Sequence, residues 1–213
     1  MDCTQTMIVY GTGYSPFVRK ILVSLAEKGA SYEHVPCLFH ASDPAFQAAS
    51  ALGKIPAIDD DGFTLADSSA ILWYIEGKHP SPALVPTDPQ ALGRAVWFDK
   101  FGDTELFAKL IVPFVERVFK PNLAGKTGDE ALVSKALDED LPPLFDYLEG
   151  EIAGEFLVGD AFSIADISIA AGFHNFALAE VRVDAARWPR LAAYVEGILA
   201  RPSFVTAIAA RKT

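Results

Sequence analysis

Pro80, Pro82, Pro86 and Pro89 crowd one short stretch, His79-Pro80-Ser81-Pro82-Ala83-Leu84-Val85-Pro86-Thr87-Asp88-Pro89. Each proline fixes φ and lacks a backbone N–H, so the run excludes both a helix interior and a central strand. It reads as a linker over residues 80–89. On its two sides the chain obeys different rules. Residues 7–79 mix strand-like and helix-like periods, whereas every long segment from residue 90 onward has helical spacing. A length of 213 residues allows one large or two small domains. The fold class expected is therefore α/β plus all-α: an α/β domain over 7–79 and an all-helical domain over 90–213.

Before the linker, Met7-Ile8-Val9-Tyr10 is a short apolar strand that passes through the turn Gly11-Thr12-Gly13-Tyr14. Ser15-Pro16 then opens an amphipathic helix over 17–28, which stops at Gly29. Residues 31–37 form a second strand, with Pro36 implying an edge position. Asp43-Pro44 caps a short helix. A third strand starts at Pro56 in Lys54-Ile55-Pro56-Ala57-Ile58, since proline can take a strand's first position. Asp59-Asp60-Asp61-Gly62 reads as an acidic turn, Phe63-Thr64-Leu65-Ala66 as a fourth strand and Asp67-Ser68 as a helix start. The order is β, α, β, α, β, β, α. A cis Ile55–Pro56 bond would turn the preceding backbone toward the helix that begins at Pro16.

Beyond the linker, a helix beginning near Gln90 carries Phe107, Leu110, Ile111, Phe114, Val115 and Val118 on one face, with a bend expected at Pro113. A second helix is expected over 128–148. A third starts at Ser163, where Ser163 and Asp166 make a variant capping box, and Phe162 and Ile167 a hydrophobic staple. Its first two turns are apolar nearly all round, which predicts a central, buried helix. Trp188-Pro189 opens another helix that ends before Arg201-Pro202.

Two helix starts matter for chemistry. A helix N-terminus offers unpaired N–H groups and the positive end of the dipole, which favour an anion. Ser15 stands at one such point, with Thr12 and Tyr14 as rival hydroxyls in the same turn. Asp67 and Ser68 stand at the other. The bland reading of Ser15, and of Asp67 with Ser68, is a plain helix cap. Arg19 and Lys20, on the first helix, read as solvated or structural.

The β-α-β-α-β-β-α order, with Ser15-Pro16, Ile55-Pro56 and Asp67-Ser68 at these places, resembles the thioredoxin-like N-terminal domain of the cytosolic glutathione transferases. It is similar to their serine-type branch, the theta, phi and tau classes. Phe156-Leu157-Val158-Gly159-Asp160 with Ser163-Ile164-Ala165-Asp166 resembles the family's loop and capping segment. Trp188-Pro189-Arg190-Leu191 through Arg201-Pro202-Ser203-Phe204 resembles its closing helices. The resemblance covers nearly the whole chain after residue 6. It implies a thioredoxin-like N-terminal domain, an all-helical C-terminal domain and glutathione as co-substrate, with no metal.

On this resemblance Ser15 hydrogen-bonds the glutathione sulfur and favours the thiolate, lowering a thiol pKa that is ordinarily about 8.5. The serine itself is neither nucleophile nor base. Asp67 would pair with the γ-glutamyl ammonium and Ser68 with its carboxylate; Asp stands where the family more often has Glu, which shortens the reach. Ile55 would offer its backbone N–H and C=O to the cysteinyl part. Lys54 and His40 are candidates for the glycyl carboxylate, although Lys54 reads equally as a solvated loop lysine. Tyr14, Phe107, Ile111 and Phe114 are candidates for a hydrophobic electrophile pocket expected between the first turn and the long helix; the same aromatic stripe also fits a plain core.

Composition narrows the alternatives. A net charge of −10 argues against a nucleic-acid surface, which needs a basic patch. Cys3 and Cys37 make neither a disulfide framework nor a zinc spacing; Cys3 falls in an N-terminal extension, and Cys37 ends an apolar run and reads as buried. No signal peptide or membrane-spanning run is visible, so the expectation is a cytoplasmic protein without a membrane partner. The leading function is transfer of glutathione to hydrophobic electrophiles, with peroxidase activity toward organic hydroperoxides as an extension. A glutathione-dependent thiol–disulfide oxidoreductase is the second class, weakened by serine standing where such enzymes carry cysteine. A non-catalytic ligand- or partner-binding member is the third. A homodimer is implied by the resemblance alone.

Overall fold

The computed structural model of the chain describes residues 6–210. Cys3 lies outside them. The chain falls into two compact units, one formed by the chain up to Leu84 together with the segment from Arg201 onward, the other by Val85–Ala200.

The first unit has the expected order: β1 (Met7–Tyr10), α1 (Pro16–Glu27), β2 (Tyr32–Val35), α2 (Pro44–Ala49), β3 (Ala57–Asp60), β4 (Phe63–Ala66) and α3 (Ser68–Lys78). The sheet order is β2-β1-β3-β4, with β1 and β2 parallel and the other pairs antiparallel. Strand β2 is an edge, as Pro36 implies. Helix α1 buries Val18, Ile21, Leu22, Val23 and Leu25. This is the helical period of the sequence converted into a core face.

Two features differ from the sequence reading. Asp59 and Asp60 belong to β3, and the turn is only Asp61–Gly62, both at positive φ (55° and 82°). That is the mirror-image two-residue turn whose twist suits a hairpin. Asp60 tolerates a buried strand position because α3 supplies its partners: the Tyr74 hydroxyl donates to it at 2.5 Å and Lys78 forms an ion pair with it. The last helix, α12 (Pro202–Ala209), packs on α1 within the first unit, whereas the sequence alone groups everything after residue 90 together. Arg201 Nε and Ser203 Oγ both donate to Glu27, at 3.2 and 2.6 Å, and fasten this helix there.

The second unit is helical throughout. Helix α4 (Pro89–Phe101), capped by Asp88, leads into a π-helical turn (Gly102–Leu106), α5 (Phe107–Leu110), α6 (Val112–Phe114), a second π turn (Val115–Phe119) and α7 (Lys120–Leu123). The break at Ile111 precedes Pro113, which has no N–H to continue the ladder. Each π turn adds a residue, so the expected single helix is a succession of short segments. Leu110 and Phe114 are buried, while Phe107, Ile111, Val115 and Val118 are half-buried. The helix expected over 128–148 is likewise divided, into α8 (Glu130–Lys135), a π turn (Ala136–Asp140) and α9 (Pro142–Glu151). Pro142 and Pro143 supply no N–H groups, so the backbone must restart there.

Helix α10 (Ile164–Leu178) is buried on nearly every side, as its apolar sequence requires. The capping box is present: Ala165 N–H donates to Ser163 Oγ at 3.3 Å, and the Asp166 carboxylate accepts from the Ser163 N–H at 2.9 Å. Asp166 also accepts from the Leu157 N–H and the Tyr194 hydroxyl, each at 2.9 Å. Tyr194 comes from α11 (Pro189–Leu199). Among the described residues no single helix is long and apolar enough to cross a membrane.

Candidate active site

One row of the sheet assembles the candidate site. Val35, Tyr10, Ala57 and Ala66 are register partners across β2, β1, β3 and β4. Strand directions make the next residues outward Pro36, Gly11, Pro56 and Asp67. Four segments that the sequence separates therefore leave the sheet along a single edge: the turn carrying Ser15, the Ile55–Pro56 step, the Asp67–Ser68 helix start and the 36–40 loop. Register alone makes these neighbours.

Gly11 is held tightly at the exit of β1. Its φ is 142°, a Cβ there would collide with Val18 Cγ2, and Ile55 Cβ would lie at 3.1 Å. Only glycine fits. Its N–H donates to the Val35 carbonyl at 3.1 Å, and its own carbonyl accepts from His34 Nε2 at 2.7 Å. The Ser15 N–H closes the turn on the Thr12 carbonyl at 2.9 Å, and the Tyr14 N–H reaches Thr12 Oγ1 at 3.3 Å. Thr12 is thus engaged in shaping the turn.

Ser15 is the N-cap of α1, with its Oγ accepting from the Val18 N–H at 3.3 Å. Capping uses a lone pair and leaves the hydroxyl proton unspent; among the described residues nothing accepts it. Cap and donor are therefore compatible roles of one hydroxyl. The second helix start is built alike. Asp67 caps α3, accepting from the Ala70 N–H at 3.0 Å, and sits at φ 87°. A non-glycine residue held in that region costs on the order of 1–3 kcal/mol and survives where surroundings over-determine it. Ser68 is buried beside it.

The other candidates are spread over both units. The Ile55–Pro56 bond is cis, and neither backbone polar group of Ile55 has a hydrogen-bond partner among the described residues. Lys54 is exposed, and its carbonyl accepts from Ser50 Oγ at 2.8 Å. His40 is exposed at φ 57°, its N–H donates to the Gly53 carbonyl at 2.7 Å, and its ring lies against Gly53. His40 and Lys54 thus share one corner of the first unit. Tyr14 is half-buried in the Ser15 turn. Phe107, Ile111 and Phe114 belong to the helical unit, where Phe107 and Ile111 are half-buried and Phe114 is 4% exposed. Cys37 is half-buried, and burial, then the nearby Asp43 carboxylate, push its thiol up, away from the reactive thiolate. Among the described residues no group of His, Cys, Asp and Glu is gathered for a metal ion.

Support for the site comes from three residues that sequence reasoning left without a role there. Arg19 and Lys20 are each 1% exposed, so they are structural and not solvated. Arg19 Nη2 donates to the Gly13 carbonyl at 3.1 Å, bracing the Ser15 turn from the first turns of α1. Lys20 Nζ donates to Ser69 Oγ at 3.2 Å and ties α1 to the start of α3. The legible signal was two adjacent cations inside an otherwise apolar helix, which must find partners when buried. His34, gripping Gly11, carried no such signal.

Comparison with known proteins agrees with this fold. Residues 9–83 match the model of the glutathione S-transferase N-terminal domain, and residues 129–197 that of the C-terminal domain. Glutathione S-transferase 3 of Zea mays is 32% identical, over 95% of this chain and 93% of its own. A solved glutathione S-transferase from Rhodospirillum rubrum is 26% identical with a TM-score of 0.85, covering 95% of this chain and 91% of that one. One from Methylobacterium radiotolerans, in complex with glutathione sulfonate, is 26% identical with a TM-score of 0.75, covering 96% and 95%. With its thioredoxin-like first unit, its helical second unit and these relatives, the chain belongs to the glutathione S-transferase family and is a glutathione transferase.

Proposed function

We propose that this enzyme conjugates the glutathione thiolate to hydrophobic electrophiles, with Ser15 donating the hydrogen bond that favours the ionised sulfur. The observation that carries the reading is the Ser15 hydroxyl: it caps α1 through a lone pair and keeps its proton to donate, at an edge shared with Ile55 and Asp67. The α1 N-terminus adds its dipole to that donor. In this reading the backbone of Ile55 takes the cysteinyl part of glutathione. Asp67 takes the γ-glutamyl ammonium, Ser68 the γ-glutamyl carboxylate, and His40 with Lys54 the glycyl carboxylate. Tyr14, Phe107, Ile111 and Phe114 are assigned to the electrophile. The sulfur forms the new bond to carbon, and a leaving group departs or an activated double bond takes up the charge. The same thiolate would reduce organic hydroperoxides, two glutathiones giving the disulfide, an alcohol and water. From family membership we also infer a homodimer and a cytoplasmic setting.

Losing a hydrogen bond to a charged sulfur costs about 1.5–3 kcal/mol, or roughly ten- to a hundredfold in rate. Wild type and Ser15→Ala should both be retained on glutathione resin. Turnover of a chlorinated aromatic and of a hydroperoxide should fall in the variant by that factor. Wild-type turnover in Ser15→Ala overturns the role of Ser15, and retention without turnover by the wild type on a broad panel overturns the catalytic reading.

A further inference from the structure

The geometry points to His34 as a positioning residue for the thiol-activating turn, an inference that rests on the reading of Ser15 above. The parallel β1–β2 ladder ends where the Gly11 N–H meets the Val35 carbonyl. The Gly11 carbonyl lies one peptide beyond, where β2 has already turned away at Pro36 and no strand partner remains. The His34 ring covers it. Because a carbonyl only accepts, Nε2 carries the proton in the 2.7 Å contact. The other ring nitrogen, Nδ1, is buried and has no hydrogen-bond partner among the described residues. The polar reach of this side chain is thus directed at the turn alone.

From Gly11 the restraint passes directly to Ser15. Gly11 cannot slide sideways, being wedged against Val18 and Ile55. With its carbonyl fixed, the Gly11–Thr12 peptide plane is fixed, and the carbonyl of the next peptide, that of Thr12, accepts from the Ser15 N–H at 2.9 Å. His34 thereby sets where the Ser15 hydroxyl points, without being near enough in the chain to cap or extend the helix itself. Its loss should lower turnover by disorienting that donor while leaving the glutathione-binding groups at Asp67 and Ile55 in place.

The test compares wild type, His34→Leu, His34→Asn and His34→Gln, each alone and combined with Ser15→Ala. The readouts are kcat, KM for glutathione, and the ionisation of bound glutathione monitored by thiolate absorbance. Gln places an amide N–H where Nε2 stood, whereas Asn falls short and Leu has no donor. Expected are a kcat lower by roughly three- to tenfold in Leu and Asn, the strength of one neutral hydrogen bond. KM for glutathione should stay within about twofold, the bound thiol should ionise at higher pH, and Gln should rescue both. In the Ser15→Ala background the same substitutions should have no further effect on kcat. Should His34→Leu fail to fold, Asn against Gln carries the comparison. Effects that add to those of Ser15→Ala, or a Gln variant as slow as Asn, overturn the assignment of His34 while leaving Ser15 standing. Wild-type turnover in Ser15→Ala overturns both.

Discussion

Replacing Asp166 by Asn should destabilise the helical unit more than any other isosteric change to a single side chain in it. The Asp166 carboxylate is wholly buried and serves four donors. One oxygen accepts from the Leu157 N–H and the Tyr194 hydroxyl, both at 2.9 Å; the other accepts from the Ser163 N–H at 2.9 Å and the Ser163 hydroxyl at 3.2 Å. An amide keeps one accepting oxygen and turns an NH2 group toward the other pair. A hydroxyl there can rotate and accept, but the backbone N–H beside it cannot, so one buried donor is orphaned at about 1–3 kcal/mol. The surviving bonds also lose their charge assistance. Against this, Asn removes a buried charge, and burial holds the Asp166 carboxyl above its ordinary range in spite of its donors. The net expectation is about 2–3 kcal/mol, or roughly 5–10 °C in the melting midpoint for a chain of this size. Ser163→Ala loses only the 3.3 Å cap and one hydroxyl donor, and should cost about 1 kcal/mol. Urea and thermal unfolding monitored by tryptophan fluorescence measure both. An Asp166→Asn variant as stable as wild type, or more stable than Ser163→Ala, would refute the reasoning.

Asp60 should shape the acid limb of stability. Burial raises its carboxyl pKa, but hydrogen bonds from Lys78 and Tyr74 outweigh that and hold it below the ordinary range. A depressed folded value contributes stability above the unfolded carboxylate pKa and loses it as pH falls through the folded one. The wild type should therefore lose stability in acid more steeply than Asp60→Asn, and parallel acid curves would contradict this. The Tyr74 phenol, pushed up to about 12 by its bond to Asp60 and by burial, stays protonated throughout that range. Gly11→Ala should cost about 2–4 kcal/mol, from overpacking against Val18 and the strained φ, and abolish retention on glutathione resin. Normal retention with an unchanged melting midpoint would show that the turn has more room than its contacts indicate.

Much of this protein was legible because the relevant forces act over a few residues. Ser15, Asp67 and Ser163 cap helices whose N–H groups lie within three positions, and each appears as a polar residue just ahead of an apolar period. The prolines of 80–89 and the Pro142-Pro143 pair punctuate the backbone through missing donors, whatever surrounds them. Alternation of periods before the linker, and its absence afterwards, was enough to name an α/β unit and a helical one. The candidate site was legible to the same extent, as helix starts and a proline-led strand, each also readable as a bare structural device.

What tertiary structure decided depends on partners remote in sequence. Asp60 becomes a strand residue because Tyr74 and Lys78 await it on α3. Lys20 is buried because Ser69, forty-nine positions away, accepts its hydrogen bond, and His34 reaches Gly11 across twenty-three. Helix α12 has the apolar composition of its neighbours, yet Glu27 on α1 claims it for the first unit. The π turns at 102–106 and 115–119 answer to packing within the helical unit; Gly102, for instance, stands where a Cβ would lie 3.0 Å from the Ser168 carbonyl oxygen. Local hydrogen bonding and covalent restraint determine which elements form. The desolvation of a charge or an N–H, and the space left for a side chain, are settled only when the elements meet, because both depend on what fills the other side of the contact.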